Sequence, residues 1–337
     1  ETAPSFLAKR RHGQVNAGFF CFAARNFVTT SDAKRISQQP IFRKRKWGKA
    51  MDNEKQAFNE TDRQLIAEAL NGSRDALEAL VTRHQAWIYN IAFRMVMDHD
   101  DAADISQEIL IKAISNLATF DPEKGAFRTW LYRITVNHVL SMKKKKFEYR
   151  INDFDTYVSL LEKMSDESGD THPEAQLLAG EIKIGCMMGM TMCLNRRDRL
   201  VFILGSIFGI SDEEGSEIMD ISKANFRKIL SRARKEIYSY IGDVCGHADE
   251  KNPCRCSHKV NPFLAYGMAD PNHLRFYHPD KLTVRERLRN QCHTFLDLYY
   301  KPFFAHFRQQ PFYESPDMTR WLREVLRQKQ FREIFQL

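Results

Sequence analysis

The sequence predicts an all-α protein: two small helical domains joined by a flexible linker, followed by a helical C-terminal extension. Three observations predict it. From Thr61 onward, apolar residues recur at the three- and four-residue spacing of a helix face. Capping and turn residues interrupt those stretches at helical lengths. No internal repeat and no β-hairpin pattern is present.

The first helix starts at Thr61-Asp-Arg-Gln and carries Leu65, Ile66, Ala69 and Leu70 as its apolar stripe. Asn71-Gly72 ends it. The second runs from near Ser73 to about Met97, with Leu77, Leu80, Val81, Ile88, Ile91 and Met95 facing inward. Asp98, Asp100 and Asp101 open the third, where carboxylates favour the positive end of the helix dipole. Its inner stripe is Ala102, Ile105, Ile109, Ala113 and Leu117. Asp121-Pro-Glu-Lys-Gly125 is turn chemistry, and a fourth helix runs from about Phe127 to Lys145. Residues 60–147 thus make the first domain.

Residues 148–175 are acidic and polar and read as a linker. Helical periodicity returns from Pro173 to about Tyr240, giving a second domain at 176–242. A Cys/His/Pro-rich segment follows at 243–260. Residues 261–337 are rich in aromatics and read as helical over 283–307 and 316–335. Phe295, Leu298, Tyr299, Phe303, Phe304, Phe307, Trp321, Leu322, Val325 and Leu326 either build a small core or form a stripe that docks on the earlier domains or on another protein.

Charge is unevenly spread. Residues 1–50 hold eleven Lys/Arg against Glu1 and Asp32, so they carry +9, and the remainder of the +8 chain is near neutral. Any nucleic-acid contact must therefore come from local basic faces. The basic leader reads as a transit peptide, a disordered arm or translated sequence upstream of Met51; the last is favoured, because the protein-like pattern begins there. No run approaches the roughly 18 apolar residues of a membrane helix. Seven cysteines in 337 residues do not form a secreted disulfide framework, which favours a reducing cytoplasm.

Two constellations carry chemistry. In the third helix the inner stripe leaves Asp104, Gln107, Glu108 and Lys112 on the outer face. The fourth interleaves Phe127, Trp130 and Tyr132 with Arg128, Arg133, Asn137 and His138 and ends in Lys143-Lys-Lys-Lys146. Aromatic faces stack on unpaired bases at about 1–3 kcal/mol each, while Arg and Lys track phosphates. The plainer reading keeps Phe127, and Trp130 with it, in the core. The stretches Asp101-Ala-Ala-Asp-Ile-Ser-Gln-Glu108 and Phe120-Asp-Pro-Glu-Lys-Gly-Ala-Phe-Arg-Thr-Trp-Leu-Tyr-Arg-Ile-Thr-Val-Asn137 resemble region 2 of sigma factors of the extracytoplasmic-function (ECF) type over about 90 residues. The resemblance implies that Asp104, Gln107 and Glu108 bind the clamp of core RNA polymerase. It implies that Arg128, Trp130, Tyr132, Arg133, Asn137, His138, Lys143 and Lys144 engage the −10 element of promoter DNA. The adjacent Trp pair of housekeeping sigma factors is replaced by Arg133-Ile134, which favours the ECF branch.

The second constellation is a helix-turn-helix. A supporting helix spans 198–208. Ser211 caps a short helix over 212–219, Asp220-Ile-Ser222 turns the chain, and Ser222 caps a long basic helix over 223–241. Ser222, Lys223, Asn225, Arg227, Lys228, Arg232 and Arg234 are its DNA-facing candidates: early ones at base edges, later ones on phosphates. Ser222-Lys-Ala-Asn-Phe-Arg-Lys-Ile-Leu-Ser-Arg-Ala-Arg-Lys235 resembles ECF region 4, which implies −35 binding. Gly215 replaces the usual apolar residue and Asp220 the usual turn glycine.

Cys245, Cys254 and Cys256, with His247 and His258, leave three readings open. They are a zinc site at Cys245, Cys254, Cys256 and His258, a reversible disulfide, or reduced thiols in a hinge. No nucleotide-binding or nucleophile motif points to an enzyme. The expected function is that of an ECF-type sigma factor directing transcription initiation, with core RNA polymerase, promoter DNA and an anti-sigma factor as candidate partners. The alternative is a stand-alone helix-turn-helix regulator responsive to metal or thiol state.

Overall fold

In the computed structural model the described residues are 44–151, 153–164, 174–242, 244–279 and 306–327. Contacts divide the chain into two units, Glu1–Gln56 and Ala57–Leu337. The helices, in chain order, are α1 (Lys44–Leu70), α2 (Arg74–Val96), α3 (His99–Ser115), α4 (Phe127–Ser141), α5 (Lys146–Arg150), α6 (Phe154–Glu162) and α7 (Ala175–Met192). They continue as α8 (Arg196–Phe202), α9 (Asp212–Met219), α10 (Lys223–Ile241), α11 (Val260–Ala265) and α12 (Met318–Arg327). No named strand occurs among the described residues. None of their helices is long and apolar enough to cross a membrane.

The local sequence accounts for the boundaries. Ser73 accepts a hydrogen bond from the Ala76 amide and starts α2, which ends where Met97 turns left-handed. The Asp98 carboxylate accepts from the amides of Asp100 and Asp101 and starts α3. α4 stops at Ser141, four residues short of the expected Lys145; Met142 is already extended. Leu77, Ile88, Ile91, Met95, Ile105, Ile109, Leu131 and Val136 form the core between α2, α3 and α4. Fully burying one such side chain contributes about 1.5–3 kcal/mol.

The helix-turn-helix forms with the expected caps. Ser211 accepts from the Glu214 amide and Ser222 from that of Asn225. Asp220 sits at φ +51°, a left-handed conformation that Asp tolerates better than most residues. Gly215 is explained by packing: a Cβ there would collide with the buried Phe226 ring. The supporting helix is α8 continued by a π turn at Ile203–Ile207, so it begins two residues early and changes pitch.

Residues 148–164 are not a bare linker. Glu148, 3% exposed, receives Arg196 at 2.6 Å and Arg199 at 3.1 Å. Arg199 also donates to the carbonyls of Met95 (2.8 Å), Met192 (2.9 Å) and Leu194 (3.1 Å). This triad, with Glu148 and Arg199 buried and Arg196 half-buried, fastens α8 to the end of the first bundle. Burial raises the Glu148 carboxyl, but the Arg196 hydrogen bond, the Lys145 amide and the two guanidinium charges outweigh it and hold it below the usual range.

Of the two expected tail helices, residues 283–305 and 328–335 lie outside the described residues. α12 falls within the second, and residues 306–327 dock on the rest of the fold. Asn90 donates to the Tyr313 carbonyl at 2.6 Å and accepts from its amide at 3.0 Å.

Candidate functional site

The outer face of α3 presents Asp104 and Glu108 exposed, with Gln107 half-buried one helical turn from Asp104. Ala102, Ile105 and Ile109 anchor the opposite face in the core, which fixes the direction of the polar one. Glu108 lies 3.2 Å from His138 Nε2, and Lys145 pairs with Asp101 at 2.9 Å. An acidic, hydrogen-bonding surface therefore runs along α3 toward the end of α4.

On α4 and in the turn just after it the structure separates the candidates. Arg133, Asn137, Lys143 and Lys144 are exposed, and Arg128 and Trp130 are half-buried. Phe127 is buried and stacks on Trp130 with ring centroids 5.4 Å apart. Tyr132 and His138 are corrections: at 1% and 5% exposed, both belong to the core. The alternation of apolar and basic residues along α4 did not reveal which aromatic turns inward. His138 packs against α3, with its Nδ1 2.6 Å from Lys112 Nζ. Burial, then the Lys112 ammonium, hold its pKa below the ordinary histidine range against the opposing pull of Glu108.

The half-buried and exposed arginines of α4 meet α9. Arg128 pairs with Glu214 at 3.3 Å, and Arg133 donates to the Glu217 carbonyl at 2.7 Å. Neither contact was visible in the sequence, because the partners are more than 80 residues apart.

The recognition helix α10 exposes Ser222, Lys223, Asn225, Arg227 and Lys228 at its N-terminal end. Its apolar face, Phe226, Ile229, Ala233 and Ile237, is buried against the supporting elements. Lys223 pairs with Glu213, which raises its pKa, and Arg227 pairs with Asp212, whose carboxyl is lowered by that hydrogen bond. Arg234 is a correction: it is 9% exposed and donates to Ser206 Oγ at 2.9 Å. Arg232 is exposed but holds Asp198 through contacts of 2.7 and 3.0 Å. Both arginines fasten the recognition helix to the elements beneath it.

In the cysteine segment, Cys245 and Cys254 form an isolated parallel bridge of backbone, and the Cys256 thiol lies 3.7 Å from His247 Nε2. Burial pushes the Cys256 thiol up to about 12. Among the described residues no three His, Cys, Asp or Glu side chains come together to hold a metal ion. The zinc reading of Cys245, Cys254, Cys256 and His258 thus has no cluster beneath it.

Sequence reasoning also missed Asn90 and Arg94. Arg94 is 1% exposed and donates to the Pro311 carbonyl at 2.8 Å. The available signal was an arginine inside the apolar run Ile91-Ala-Phe-Arg-Met-Val96.

Residues 80–148 match the family model for Sigma-70 region 2. This range holds α3, α4 and the polar face between them. The ECF RNA polymerase sigma-E factor of Escherichia coli is 30% identical over 182 residues, covering 52% of this chain and 92% of that protein. Its counterpart of the same description from Haemophilus influenzae is 29% identical over 187 residues, covering 54% and 95%. The ECF RNA polymerase sigma factor SigW of Bacillus subtilis is 28% identical over 181 residues, covering 53% and 96%. Nearly the whole length of each relative therefore finds its counterpart within about half of this chain, and the chain belongs to the ECF RNA polymerase sigma factors.

Proposed function

We propose that this sigma factor divides its work between three helices. α3 binds core RNA polymerase through Asp104, Gln107 and Glu108. α4, with the lysines just past its end, engages the −10 element through Arg128, Trp130, Arg133, Asn137, Lys143 and Lys144. α10 reads the −35 element with Ser222, Lys223, Asn225, Arg227 and Lys228. Residues 60–147 act as region 2 and residues 176–242 as region 4. The polymerase supplies the chemistry, so the reading assigns no catalytic residue to this chain.

The observation that carries the proposal is the pairing of two surfaces in one chain. Residues 80–148 match Sigma-70 region 2, and α9–α10 form a helix-turn-helix with a basic, capped second helix. A stand-alone regulator needs the second alone. The electrostatics agree with the division. α3 turns carboxylates outward, which repel phosphate and suit a basic protein surface. α4 and α10 turn cations outward, which suits DNA.

The test is capture of purified bacterial core RNA polymerase by the full chain. Wild type is expected to form a stable complex, and Asp104→Ala/Gln107→Ala to lose it while keeping its helical circular dichroism. A folded wild-type protein that fails to bind polymerase would refute the assignment.

A further inference from the structure

Residues 307–327 touch both halves of the molecule at once. On the first bundle, Asn90 exchanges two hydrogen bonds with the Tyr313 backbone, and Arg94 donates to the Pro311 carbonyl. Arg323 of α12 holds the Glu78 carboxylate through contacts of 2.8 and 2.9 Å. On the helix-turn-helix side, Arg308 donates to the Ser206 carbonyl at 2.8 Å, and Phe307 packs on Phe202 with ring centroids 5.2 Å apart. Trp87 lies in the seam, against Phe208 at 5.0 Å and Phe312 at 5.7 Å.

This arrangement has a consequence for α4. With the halves closed, Arg128 and Arg133 are engaged by Glu214 and the Glu217 carbonyl of α9. The α3 carboxylates Asp104 and Glu108 stay exposed in the same state. The polymerase-facing surface is open while two cations of the DNA-facing surface are occupied by α9.

The contacts are built for a state that can be left. Arg94 is a fully buried cation that donates to the Asn90 carbonyl and side-chain oxygen and to the Pro311 carbonyl, with its guanidinium 5.3 Å from the Phe208 ring and 5.5 Å from that of Tyr313. Among the described residues it has no carboxylate partner, and burial lowers its pKa to about 10. Burying a charge without an opposite charge is unfavourable. Exposing Arg94 to water therefore offsets part of the loss when the tail lifts.

We propose that residues 307–327 are an intramolecular clasp that autoinhibits the factor: beside the Glu148 triad, they hold the helix-turn-helix against the first bundle and so keep Arg128 and Arg133 occupied by α9 instead of DNA. The polymerase surface remains available, so the closed protein meets polymerase before promoter. The inference rests on the assignment of α4 to DNA.

The test uses the full chain as wild type, as Arg308→Ala/Tyr313→Ala, and as Arg308→Ala alone in case loss of the Tyr313 ring unfolds the protein. Small-angle scattering reads the separation of the halves, and fluorescence anisotropy reads binding of a labelled oligo-thymidine strand at several salt concentrations. Release is expected to increase the radius of gyration and tighten DNA binding. Freeing two phosphate-binding arginines should steepen the salt slope by about 1.4. Adding Arg128→Ala/Arg133→Ala to the released protein should remove that gain. A folded variant with unchanged scattering and unchanged DNA binding would overturn the clasp. Expansion without a DNA gain would overturn the masking and with it the assignment of α4. Polymerase capture in the same samples is an independent readout, so failure of the sigma-factor assignment on α3 shows there and leaves the scattering comparison intact.

Discussion

Replacing Glu148 by Ala is expected to destabilise the fold by about 3–5 kcal/mol, the cost of breaking a buried ion pair by removing one partner. The carboxylate is 3% exposed and faces two guanidinium groups at 2.6 and 3.1 Å. Its loss leaves Arg199, itself 3% exposed, with carbonyl partners alone. In a domain of this size that corresponds to a fall in Tm of about 6–20 °C. Urea unfolding followed by circular dichroism measures it. The pH dependence has a definite sign. The carboxyl is held below its usual range in the folded protein. Its stabilisation is thus present above the unfolded value of about 4.3 and is lost as pH falls through the depressed folded value. The gap between wild type and Glu148→Ala should be full at neutral pH and close in acid. A loss below about 1 kcal/mol at pH 7, or a gap that widens in acid, would refute the claim that Glu148 joins the two halves.

Two further outcomes test the helix-turn-helix. Gly215→Ala puts a methyl group against the buried Phe226 ring and should cost about 1–3 kcal/mol by overpacking; equal stability by thermal unfolding would show that the ring moves freely. Lys228→Ala removes an exposed cation near the start of α10 and should weaken DNA binding across sequences, reducing the salt slope by about 0.9; an unchanged slope would place Lys228 off the phosphates.

What the sequence revealed depended on how local the cause was. The helix-turn-helix was legible to the residue, because Ser211, Ser222 and Asp220 act on their own backbone within three residues. The inward stripes of α2 and α3 were legible from period alone. Tyr132, His138 and Arg234 were misread because each carries a polar tip on a body that buries well, and a one-dimensional pattern does not say which way the tip turns. The acidic composition after residue 148 suggested a free linker, yet Glu148 finds its partners 48 and 51 residues away. The tail's aromatics left a core of its own and docking both open; its partners, such as Asn90 at a separation of 223 residues, needed the fold.

The first turn of α9 is where these threads meet. Its three carboxylates each face a different cation: Asp212 meets Arg227, Glu213 meets Lys223, and Glu214 meets Arg128. They favour the helix dipole at their own N-terminus, and they also screen the basic residues that would touch DNA. The pairs on α10 are exposed, and solvent screening leaves pairs of that kind little net stabilisation. A phosphate brings a comparable or stronger partner, so these contacts exchange rather than block. The hydrogen bonds of Asn90 with Tyr313 and of Arg94 with Pro311 are buried; lifting the tail returns their groups to water, so each contributes a net of about 0.5–1.5 kcal/mol. The magnitudes therefore rank the tail, beside the Glu148 triad, above the acidic turn as a tie between the halves. Neutralising Glu214 alone should leave the halves together, whereas loosening residues 307–327 should let them move apart about the Glu148 triad with every α9 carboxylate still in place.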